Sequence, residues 1–463
     1  EVAYKLQNGR NNTVWGLAFG SDAPRLTDNV EYRVYKVDFT YNNDVRATRY
    51  ATRNKHIYGS LPTVQEILGT GYNPQHYYSG LTFADNFSGS TSVTADKQVA
   101  VRFTHKEVCE IASKADWKEF CNLVNGGQTK LNAKMTKDID LGSEITMAGI
   151  YTTCKYSGTF DGQNHTLTIN WNAGSENEIA PFRKVNDATI RNLRTKGTIK
   201  SSSYYLSGLV GDTYGTVNIS NCASNVNITS SHTGGRCDAA GMISYIGSSA
   251  NVTITDCLVK DNITATTDDG KEKMGGFVYL QGGTCTLTNC LYIGENNADN
   301  TNGDSNTFAN NATVTNCYYL NTCGNKQGEQ VTADQLKNGY VAYKLQNSRN
   351  NTVWGQVLGS NNEPLLTADG AKRVRKVEFT YNSQVKATRY ATHGKAIYGS
   401  MPTFTPKDLL GSDYNEHHYY SGIAFEDGFS ASTNVTADKR VTVSFTKKDY
   451  YEIASKENWK ELC

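Results

Sequence analysis

The middle of the chain is built from short runs in which apolar and polar residues alternate. Five runs align with one another within residues 187–317, namely DATIRNL, TVNISNC, NVTITDC, TCTLTNC and NATVTNC. Alternation with a period of two places the apolar residues of each run on one face of a strand. The column three positions before the end of each run is Ile190, Ile219, Ile254, Leu287 and Val314. This register predicts a right-handed parallel β-helix over residues 156–320, with that column stacked inside.

The ends of the runs form two further columns that predict how each strand turns a corner. The next-to-last residue is always Asn or Asp, and both tolerate the left-handed backbone that a corner needs. This column is Asn192, Asn221, Asp256, Asn289 and Asn316. We expect it to form a polar ladder in which Asp256 has a structural role. The last residue of each run should point inward again, and that column is Leu193, Cys222, Cys257, Cys290 and Cys317.

The cysteines of the last column are predicted to be free thiols in the core. Leu193 takes the same position in one run, which marks it as a packing position, and Cys is itself a small core residue. Stacked neighbours lie about 4.8 Å apart, but their parallel side chains disfavour a disulfide. The chain has 11 cysteines in total. A Cys109–Cys121 bridge is not required either, because Cys121 returns as Cys463 in a repeated segment whereas Cys109 is replaced by Tyr451.

A long segment occurs once at each end of the chain. The opening EVAYKLQNGRNNTVWG returns as YVAYKLQNSRNNTVWG, so that Trp15 matches Trp354. VDFTYNNDVRATRYAT likewise returns as VEFTYNSQVKATRYAT, so that Tyr50 matches Tyr390. Repeats of such a long period are typical of stalks, adhesins and filaments. We therefore expect a piece of a longer tandem array that continues on both sides with the same alternation of domains.

The pattern divides the chain into five segments. They are 1–30, 31–106, 107–357, 358–447 and 448–463. The central segment contains the β-helix, with helical caps predicted at residues 115–124 and 333–346 from apolar residues at helical spacing. The second segment, and the fourth after a short linker, each predict two strands, a short helix and two further strands. The first and last segments match the end of one cap and the start of the other, and their apolar faces should be exposed.

Two parts of this pattern resemble known families. The segments YSGTFDGQNHTLTIN (156–170) and SGLVGDTYGTVNISNC (207–222) resemble the β-helical region with GLUG-type motifs of large bacterial surface proteins. The segment FSGSTSVTADKQVAVRF and its partner in the second copy resemble the Listeria–Bacteroides (internalin B-type) repeat. The second resemblance implies two small ubiquitin-like β-grasp domains that serve as spacers beside the β-helix. Both sets of motifs mark turns and core positions, and they imply no chemistry.

Composition narrows the class of protein further. Aromatic and β-branched residues between Gly and Asn turns, with 29 Tyr, 41 Gly and only 7 Pro, favour a mainly β chain. A net charge of +1 gives no reason to expect a nucleic-acid or anionic-membrane partner. No run is apolar enough to span a bilayer, so no direct membrane insertion is expected from this part of the protein.

Candidate chemistry is sparse. A polysaccharide lyase or hydrolase on a β-helix would need clustered carboxylates. The acids of the coil region are instead scattered along the sequence: Asp161, Asp187, Asp212, Asp256 and Asp261. Residues 266–273 are predicted to be an exposed loop, and so is DNTNGD at 299–304, which lacks the closing Glu of a calcium loop. The eight histidines, including His417 and His418, show no metal spacing. We therefore predict no catalytic, cofactor-binding or metal-binding residue and no cofactor.

Paired tyrosines are the best candidates for a binding surface. The pairs are Tyr77-Tyr78, Tyr204-Tyr205 and Tyr318-Tyr319. Their rings could stack on sugars or become buried in a protein interface. Alternation should point one ring of each pair inward and the other outward.

Together these patterns predict a non-enzymatic, extracellular tandem-repeat protein of a bacterial surface that acts as an adhesin or stalk. Its expected partners are glycans or surface proteins of a host or of other microbes. One alternative is a segment of a self-assembling extracellular filament with head-to-tail association. A second alternative is a β-helical polysaccharide lyase or hydrolase, which a groove holding several close carboxylates would support.

Overall fold

The structure is a computed structural model, and it describes residues 1–202, 204–233, 239–299 and 304–463. The chain is mainly β, with 39% of residues in strands and 15% in helices. Its contacts divide it into two units. The first is Glu1–Glu110 with Gly126–Lys134, and the second is Ile111–Asn125 with Met135–Cys463. Of the loop predicted at 299–304, residues 300–303 lie outside the described residues.

Parallel strands form most of the second unit, and we call residues 135–331 the coil stack. The first sheet contains the aligned runs, with strands Thr159–Asp161, Thr189–Arg191, Thr216–Ser220, Asn251–Thr255, Thr284–Thr288 and Thr313–Thr315. The strands that follow the corners form the second sheet. They are Ile139–Asp140, Thr166–Asn172, Arg194–Ser201, Ala223–Ser230, Leu258–Val259, Ile263–Ala265, Leu291–Tyr292, Tyr318–Tyr319 and Glu329–Gln330.

Two smaller parallel sheets complete the coils. The third sheet contains Phe182–Asn186, Val210–Tyr214, Ile243–Ile246 and Val278–Gln281. The fourth contains Leu206–Ser207, Ala239–Ala240 and Met274–Gly275. Two more short strands, Cys109–Ile111 and Ala133–Met135, contain points at which the chain passes between the two units. Stacked parallel sheets of this kind are the arrangement of a β-helix or solenoid.

The parallel register confirms the predicted inner column. Ile190 pairs with Ile219, Ile219 with Ile254, Ile254 with Leu287, and Leu287 with Val314. The first four side chains are at most 1% exposed, whereas Val314, in the last strand of the sheet, is half-buried. Ladders of like apolar residues therefore fill the interior between the sheets.

The corner column also adopts the predicted conformation. All five residues have φ between 50° and 55°. Asn221 Nδ2 donates to Asn192 Oδ1 at 2.7 Å, and Asn316 Nδ2 donates to Asn289 Oδ1 at 2.7 Å. Asp256 lies between these two pairs and has other partners, so the ladder consists of two separate amide pairs.

The cysteine column is buried, and Cys222, Cys257, Cys290 and Cys317 are all free. Each thiol donates to the carbonyl two residues earlier, at 3.3 or 3.4 Å. Burial raises the pKa of Cys257 and of Cys290, which keeps these sulfurs protonated and unreactive. The structure thus agrees with the predicted packing role.

The caps are helical, with one correction. The helix Lys114–Asn125 buries Trp117, Phe120, Cys121 and Val124, as its spacing predicts. The single helix predicted at 333–346 is two helices, Ala333–Lys337 and Tyr340–Gln346, because Gly339 has φ 92° between them. The predicted N-cap, Thr332, accepts from the Gln335 N–H.

The segment predicted as an exposed loop at 266–273 is also corrected. It contains the short helix Asp268–Lys271. Thr267 caps this turn by accepting from the Gly270 N–H, and two acidic residues in the first turn complement the helix dipole.

The two small domains have the same four-stranded sheet. In the first, the strand order is Asp44–Thr52, Val34–Tyr41, Lys97–Lys106 and Tyr77–Phe83, with the helix Val64–Leu68. In the second it is Gln384–Thr392, Val374–Tyr381, Lys439–Lys448 and Tyr419–Phe425, with the helix Pro406–Leu410. The central two strands are parallel and the outer pairs are antiparallel in both copies. The predicted order of strands and helix along the chain is therefore found twice.

Short elements complete the description. Single-turn helices of the tighter 3₁₀ type lie at Val30–Tyr32, Gly69–Gly71, Ala84–Asn86, Gly370–Lys372, Gly411–Asp413 and Glu426–Gly428. Two-residue strands pair as Trp15–Gly16 with Arg25–Leu26, and as Trp354–Gly355 with Leu365–Leu366. The helices Val2–Gln7 and Lys456–Leu462 lie in the terminal segments. Of the helices described, none combines the length and the apolar character that crossing a membrane requires.

Candidate functional site

The third sheet of the coil stack carries a cluster of charged side chains. Lys184 pairs in register with Asp212 on the next coil. The Lys184 ammonium donates to Asp212 Oδ2 at 3.2 Å and also to Glu178 Oε2. Arg183 adds a bond from Nε to Glu178 Oε2 at 3.1 Å and one from Nη1 to Glu176 Oε1 at 3.1 Å. Two carboxylates thus share one lysine, and we call Glu178, Lys184 and Asp212 the shared-lysine cluster.

Burial separates the two carboxyl groups of this cluster in acidity. Burial raises the pKa of Asp212 to about 6, although Lys184 opposes the change. Burial also acts on Glu178, but its bonds to Lys184 and Arg183 outweigh that effect and hold its pKa below the usual value. Among the described residues, Asp212 Oδ1 is buried without a hydrogen-bond partner. Two carboxyl groups of different acidity side by side are a pattern that acid–base catalysis uses, but here Lys184 and Asp212 are only 6% and 4% exposed.

Tyrosine rings surround this cluster. Asp212 pairs in register with Tyr245, whose ring lies 5.6 Å from that of Tyr205. Tyr205 in turn meets Tyr204 edge to face at 4.9 Å. The Lys155 ammonium lies 4.0 Å from the centre of the Tyr214 ring. These tyrosines are half-buried, so each combines an apolar face with a polar edge at the surface.

A second constellation is centred on Asp256. The Trp354 Nε1–H donates to Asp256 Oδ1 at 3.0 Å, and Arg349 Nη1 donates to Asp256 Oδ2 at 2.7 Å. Trp354 is fully buried and Asp256 is 8% exposed. The carboxylate of Asp256 thus accepts from two donors on the chain that follows the coil stack, and this contact holds that chain against the corner of one aligned run. We call it the Asp256 junction.

The apolar side of this junction explains why the chain folds back here. The column just after the inward cysteines contains Leu258, Leu291 and Tyr318, which pair in register along the second sheet. Alternation points these residues away from the interior, yet they are at most 5% exposed. They are covered by the helix Tyr340–Gln346 and by Trp354, with which they form one apolar cluster. The segment predicted as an end cap therefore packs along the outer side of three successive coils.

The acids predicted to be scattered have mostly structural partners. Asp161 accepts from Arg191 Nε at 2.8 Å, Asn192 Nδ2 at 2.9 Å and the Gln163 N–H at 2.9 Å, which fixes a turn. Asp187 has φ 53° and accepts from the Thr216 N–H at 2.8 Å. The structural role expected for Asp256 is found, but in the junction rather than in the ladder.

Asp261 is the exception among these acids, because it is fully buried inside the stack. Its carboxyl accepts from Ser224 Oγ at 2.8 Å and from the Val226 N–H at 2.9 Å. Strand pairing between the coils is interrupted at this point, between Ser224 and Ile228. The carboxyl therefore replaces a missing backbone acceptor. Burial raises the pKa of Asp261 to about 8, against the two hydrogen bonds.

The tyrosine pairs behave differently from one another. Tyr78 is buried and Tyr77 half-buried, as alternation predicts. Tyr318 and Tyr319 are both buried, at 3% and 2% exposure, so the prediction that one of them points to solvent is wrong. The reason for Tyr318 is that the returning chain covers the outer face.

The histidines and acids do not form a metal site in the part of the chain that the structure describes. His418 Nε2 lies 3.2 Å from Asn415 Nδ2 and 3.7 Å from Asp449 Oδ1.

Sequence reasoning missed Glu178, Lys184 and Arg349. A signal existed for Arg349, because its counterpart Arg10 is kept in the repeated segment. For Lys184 the only signal was that it takes the same position in its coil as Asp212 takes in the next coil. This pairing becomes visible when the register is extended to the third sheet.

The comparisons with known proteins add little to this geometry. No family model and no curated protein matches the chain. One solved structure with detectable similarity is a candidate immunoglobulin A1 protease from Bacteroides ovatus, at a TM-score of 0.40 and 14% sequence identity. The match covers 56% of this chain and 92% of that protein. Similarity of this size assigns neither a fold nor an activity to the chain.

Proposed function

We propose that this chain is a non-enzymatic, extracellular tandem-repeat protein of a bacterial surface that acts as a stalk or adhesin. In this proposal the coil stack is a right-handed β-helix of the GLUG type, and the small domains are β-grasp spacers of the internalin B type. The stack displays its loops and outward rings to glycans or surface proteins, and the spacers separate one stack from the next.

The observation that carries the proposal is the Asp256 junction. A stalk must hold its modules in fixed orientation, and here a buried carboxylate ties the chain after the stack to the third of its aligned runs. The same segment continues into the second small domain through two more bonds. Thr392 Oγ1 donates to the Gln356 carbonyl at 2.9 Å, and the Tyr343 hydroxyl donates to Asp438 Oδ2 at 2.7 Å.

The rigid connection can be tested with Asp256→Ala. The substitution leaves the buried Trp354 Nε1–H without its acceptor and removes one of the three acceptors of the Arg349 guanidinium, which should cost roughly 3 kcal/mol. We expect faster hydrogen exchange in residues 340–366 of the variant. The matched control is Asn289→Ala, which removes a ladder amide on the next run and should leave those residues protected. Equal protection in Asp256→Ala and in the unmodified protein would remove the support for a rigid stalk.

The surface role needs its own measurement. We expect antibodies raised against the intact protein to label unbroken cells, and the protein to bind members of an array of glycans and host-matrix proteins. Labelling only after the cells are broken would contradict the proposal. Labelling without any binding would favour a stalk over an adhesin.

The shared-lysine cluster favours a second candidate, an enzyme that acts on polysaccharides. It places two carboxyl groups of different acidity beside several half-buried tyrosines. Lys184 donates hydrogen bonds to the carboxylates of both Glu178 and Asp212, and Lys184 and Asp212 are buried. We therefore expect no release of reducing ends or unsaturated products from acidic or neutral polysaccharides. Release that is lost in both Glu178→Gln and Asp212→Asn would replace the leading proposal with this one.

A further inference from the structure

The segment that covers the coil stack occurs twice in the chain with the same local structure. Gln346 Oε1 accepts from the N–H groups of Val353 and Trp354, both at 3.0 Å. In the first copy, Gln7 Oε1 accepts from the N–H groups of Val14 and Trp15, also at 3.0 Å. The following Asn8 and Asn347 have φ 47° and 48°. Both copies are therefore folded in the shape that covers a stack.

The two copies differ in what covers them. Val341, Leu345 and Trp354 are all fully buried against the outer column of the stack. Their counterparts in the first copy are Val2, Leu6 and Trp15; Val2 is 60% and Leu6 40% exposed, and Trp15 is half-buried. Leu366 packs against the same cluster, whereas its counterpart Leu26 is 69% exposed. We call Val2, Leu6, Trp15 and Leu26 the open face.

The arginine of the Asp256 junction is also present in both copies of the segment. Arg349 binds Asp256 from the edge of the buried segment. Its counterpart Arg10 lies between Leu6 and Trp15 in the sequence and is exposed. The first copy therefore presents the same apolar side chains and the same cation, in a folded segment, as the second copy uses to hold a coil stack.

We infer that the open face is the docking site for the outer side of a second coil stack. That partner would have an apolar column like Leu258, Leu291 and Tyr318, and a carboxylate at the neighbouring corner like Asp256. The inference rests on the proposed role as a repeat protein, and it names the contact by which one module would join the next.

The coil stack of the same chain does not offer a second such surface in its described residues. Its apolar outer column is already buried under residues 341–354. One coil earlier the same register position is the half-buried Ala223, and before that it is Arg194. The occupant must therefore be a stack whose outer column is not covered by a segment of its own.

A tandem protein tests the inference directly. It consists of residues 1–339 followed by the complete chain 1–463, so that Glu1 of the second copy takes the place of Tyr340. Trp15→Phe in the first copy leaves one Trp15 to follow. We expect its rate of oxidation by hydroxyl radicals, read by mass spectrometry, to fall from the value in the single chain to that of Trp354. An unchanged rate would overturn the inference.

Two variants of the second copy sharpen the test. Arg10→Glu opposes the carboxylate of the preceding stack and should return Trp15 to the oxidation rate of the single chain. Arg46→Glu alters an exposed residue that pairs with Asp44 and should change nothing. If residues 216–255 of the first copy lose protection from hydrogen exchange, the open face has failed to cover the stack, and this too rejects the docking.

The outcomes separate docking from the proposed function. Burial of Trp15 in the tandem, together with antibody labelling only in broken cells, would reject the surface role and keep the docking. Labelling of intact cells together with an unchanged Trp15 would reject the docking and keep the surface role.

Discussion

The interior of the coil stack holds an ionisable carboxyl group, whereas the hydrophobic cores of the two small domains are formed by aliphatic and aromatic side chains. Asp261 is fully buried inside the stack. In the small domains, Phe39 meets two other rings edge to face at 5.5 and 5.6 Å, and Phe379 does the same at 5.5 and 5.7 Å. The two kinds of core therefore differ in whether they contain an ionisable group.

Stacking explains the difference. A coil pairs its backbone with the coils before and after it, so a strand that is interrupted leaves polar backbone groups inside. At Val226 the Asp261 carboxyl supplies the missing acceptor, and burial favours the protonated form of this carboxyl. In a four-stranded sheet with open edges, interruptions can face water, and the core can remain apolar.

The largest effect that separates the two regions should be their response to pH. The folded pKa of Asp261 is raised to about 8 by burial, far above the ordinary value of 3.8. Its contribution to stability is therefore fully present below pH 4 and is lost as the pH rises toward 8. Over that range the free energy of unfolding of the stack should fall by up to roughly 5 kcal/mol. Guanidinium denaturation at pH 5 and pH 8, followed by circular dichroism, measures it.

Asp261→Asn is the control for this prediction. The amide cannot ionise but keeps an oxygen for the Val226 N–H, so the variant should lose most of the pH dependence and be more stable than the unmodified protein at pH 8. Asp212→Asn should remove only a smaller part of the dependence, since the pKa of Asp212 is raised to about 6. A dependence that survives Asp261→Asn unchanged would contradict the buried-acid interpretation.

The next effect concerns truncation of the cores. Ile254→Ala leaves a cavity in the middle of a ladder and should cost about 2–5 kcal/mol. Phe39→Ala should cost about 3–5 kcal/mol in the first small domain, where the lost ring touches two others. Hydrogen exchange separates the two. Ile254→Ala should weaken protection along residues 190–290 through neighbouring coils, whereas Phe39→Ala should act within residues 34–103.

The reach of Ile254→Ala is the informative part of that experiment. In a stack, each coil is stabilised chiefly by its neighbours, so the loss should decrease with distance along the ladder. Equal loss of protection in residues 34–103 would show that the small domain and the stack unfold as one unit. Phe379→Ala gives the corresponding value for the second small domain.

The sequence predicts the periodic parts of this molecule well and the lateral contacts poorly. Period-two alternation suffices to place Ile219, Ile254 and Leu287 in one inner ladder, and the Asn corners follow from the left-handed backbone. Alternation also assigns Leu258 and Tyr318 to the outside, and only the fold shows the returning chain that buries them. A buried outer column is therefore a tertiary contact that no local period specifies.

The shared-lysine cluster was out of reach for a similar reason. The aligned runs end 29, 35, 33 and 27 residues apart, so the register of the first sheet does not by itself place Lys184 opposite Asp212 in the third. Glu178 lies outside the strands altogether. Its backbone has φ 57°, and its carboxylate accepts a hydrogen bond from the Lys184 ammonium. Sequence order alone gives no reason to bring Glu178 and Asp212 to one ammonium group.

The smallest expected effect is chemical and leaves stability unchanged. Four cysteines stack in one column, and each thiol donates a hydrogen bond to a backbone carbonyl: Cys222, Cys257, Cys290 and Cys317. In the native protein, an aromatic disulfide reagent should modify the exposed Cys463 and the half-buried Cys154 first. The four column thiols should react only when the stack opens, and all four should be free in denaturant without reductant. Cys463→Ser combined with Cys154→Ser should remove the reaction of these two thiols and leave that of the buried thiols, which include the four of the column. Disulfides linking all four would contradict both the parallel side-chain geometry and the contrast between the buried column thiols and the more accessible Cys154 and Cys463.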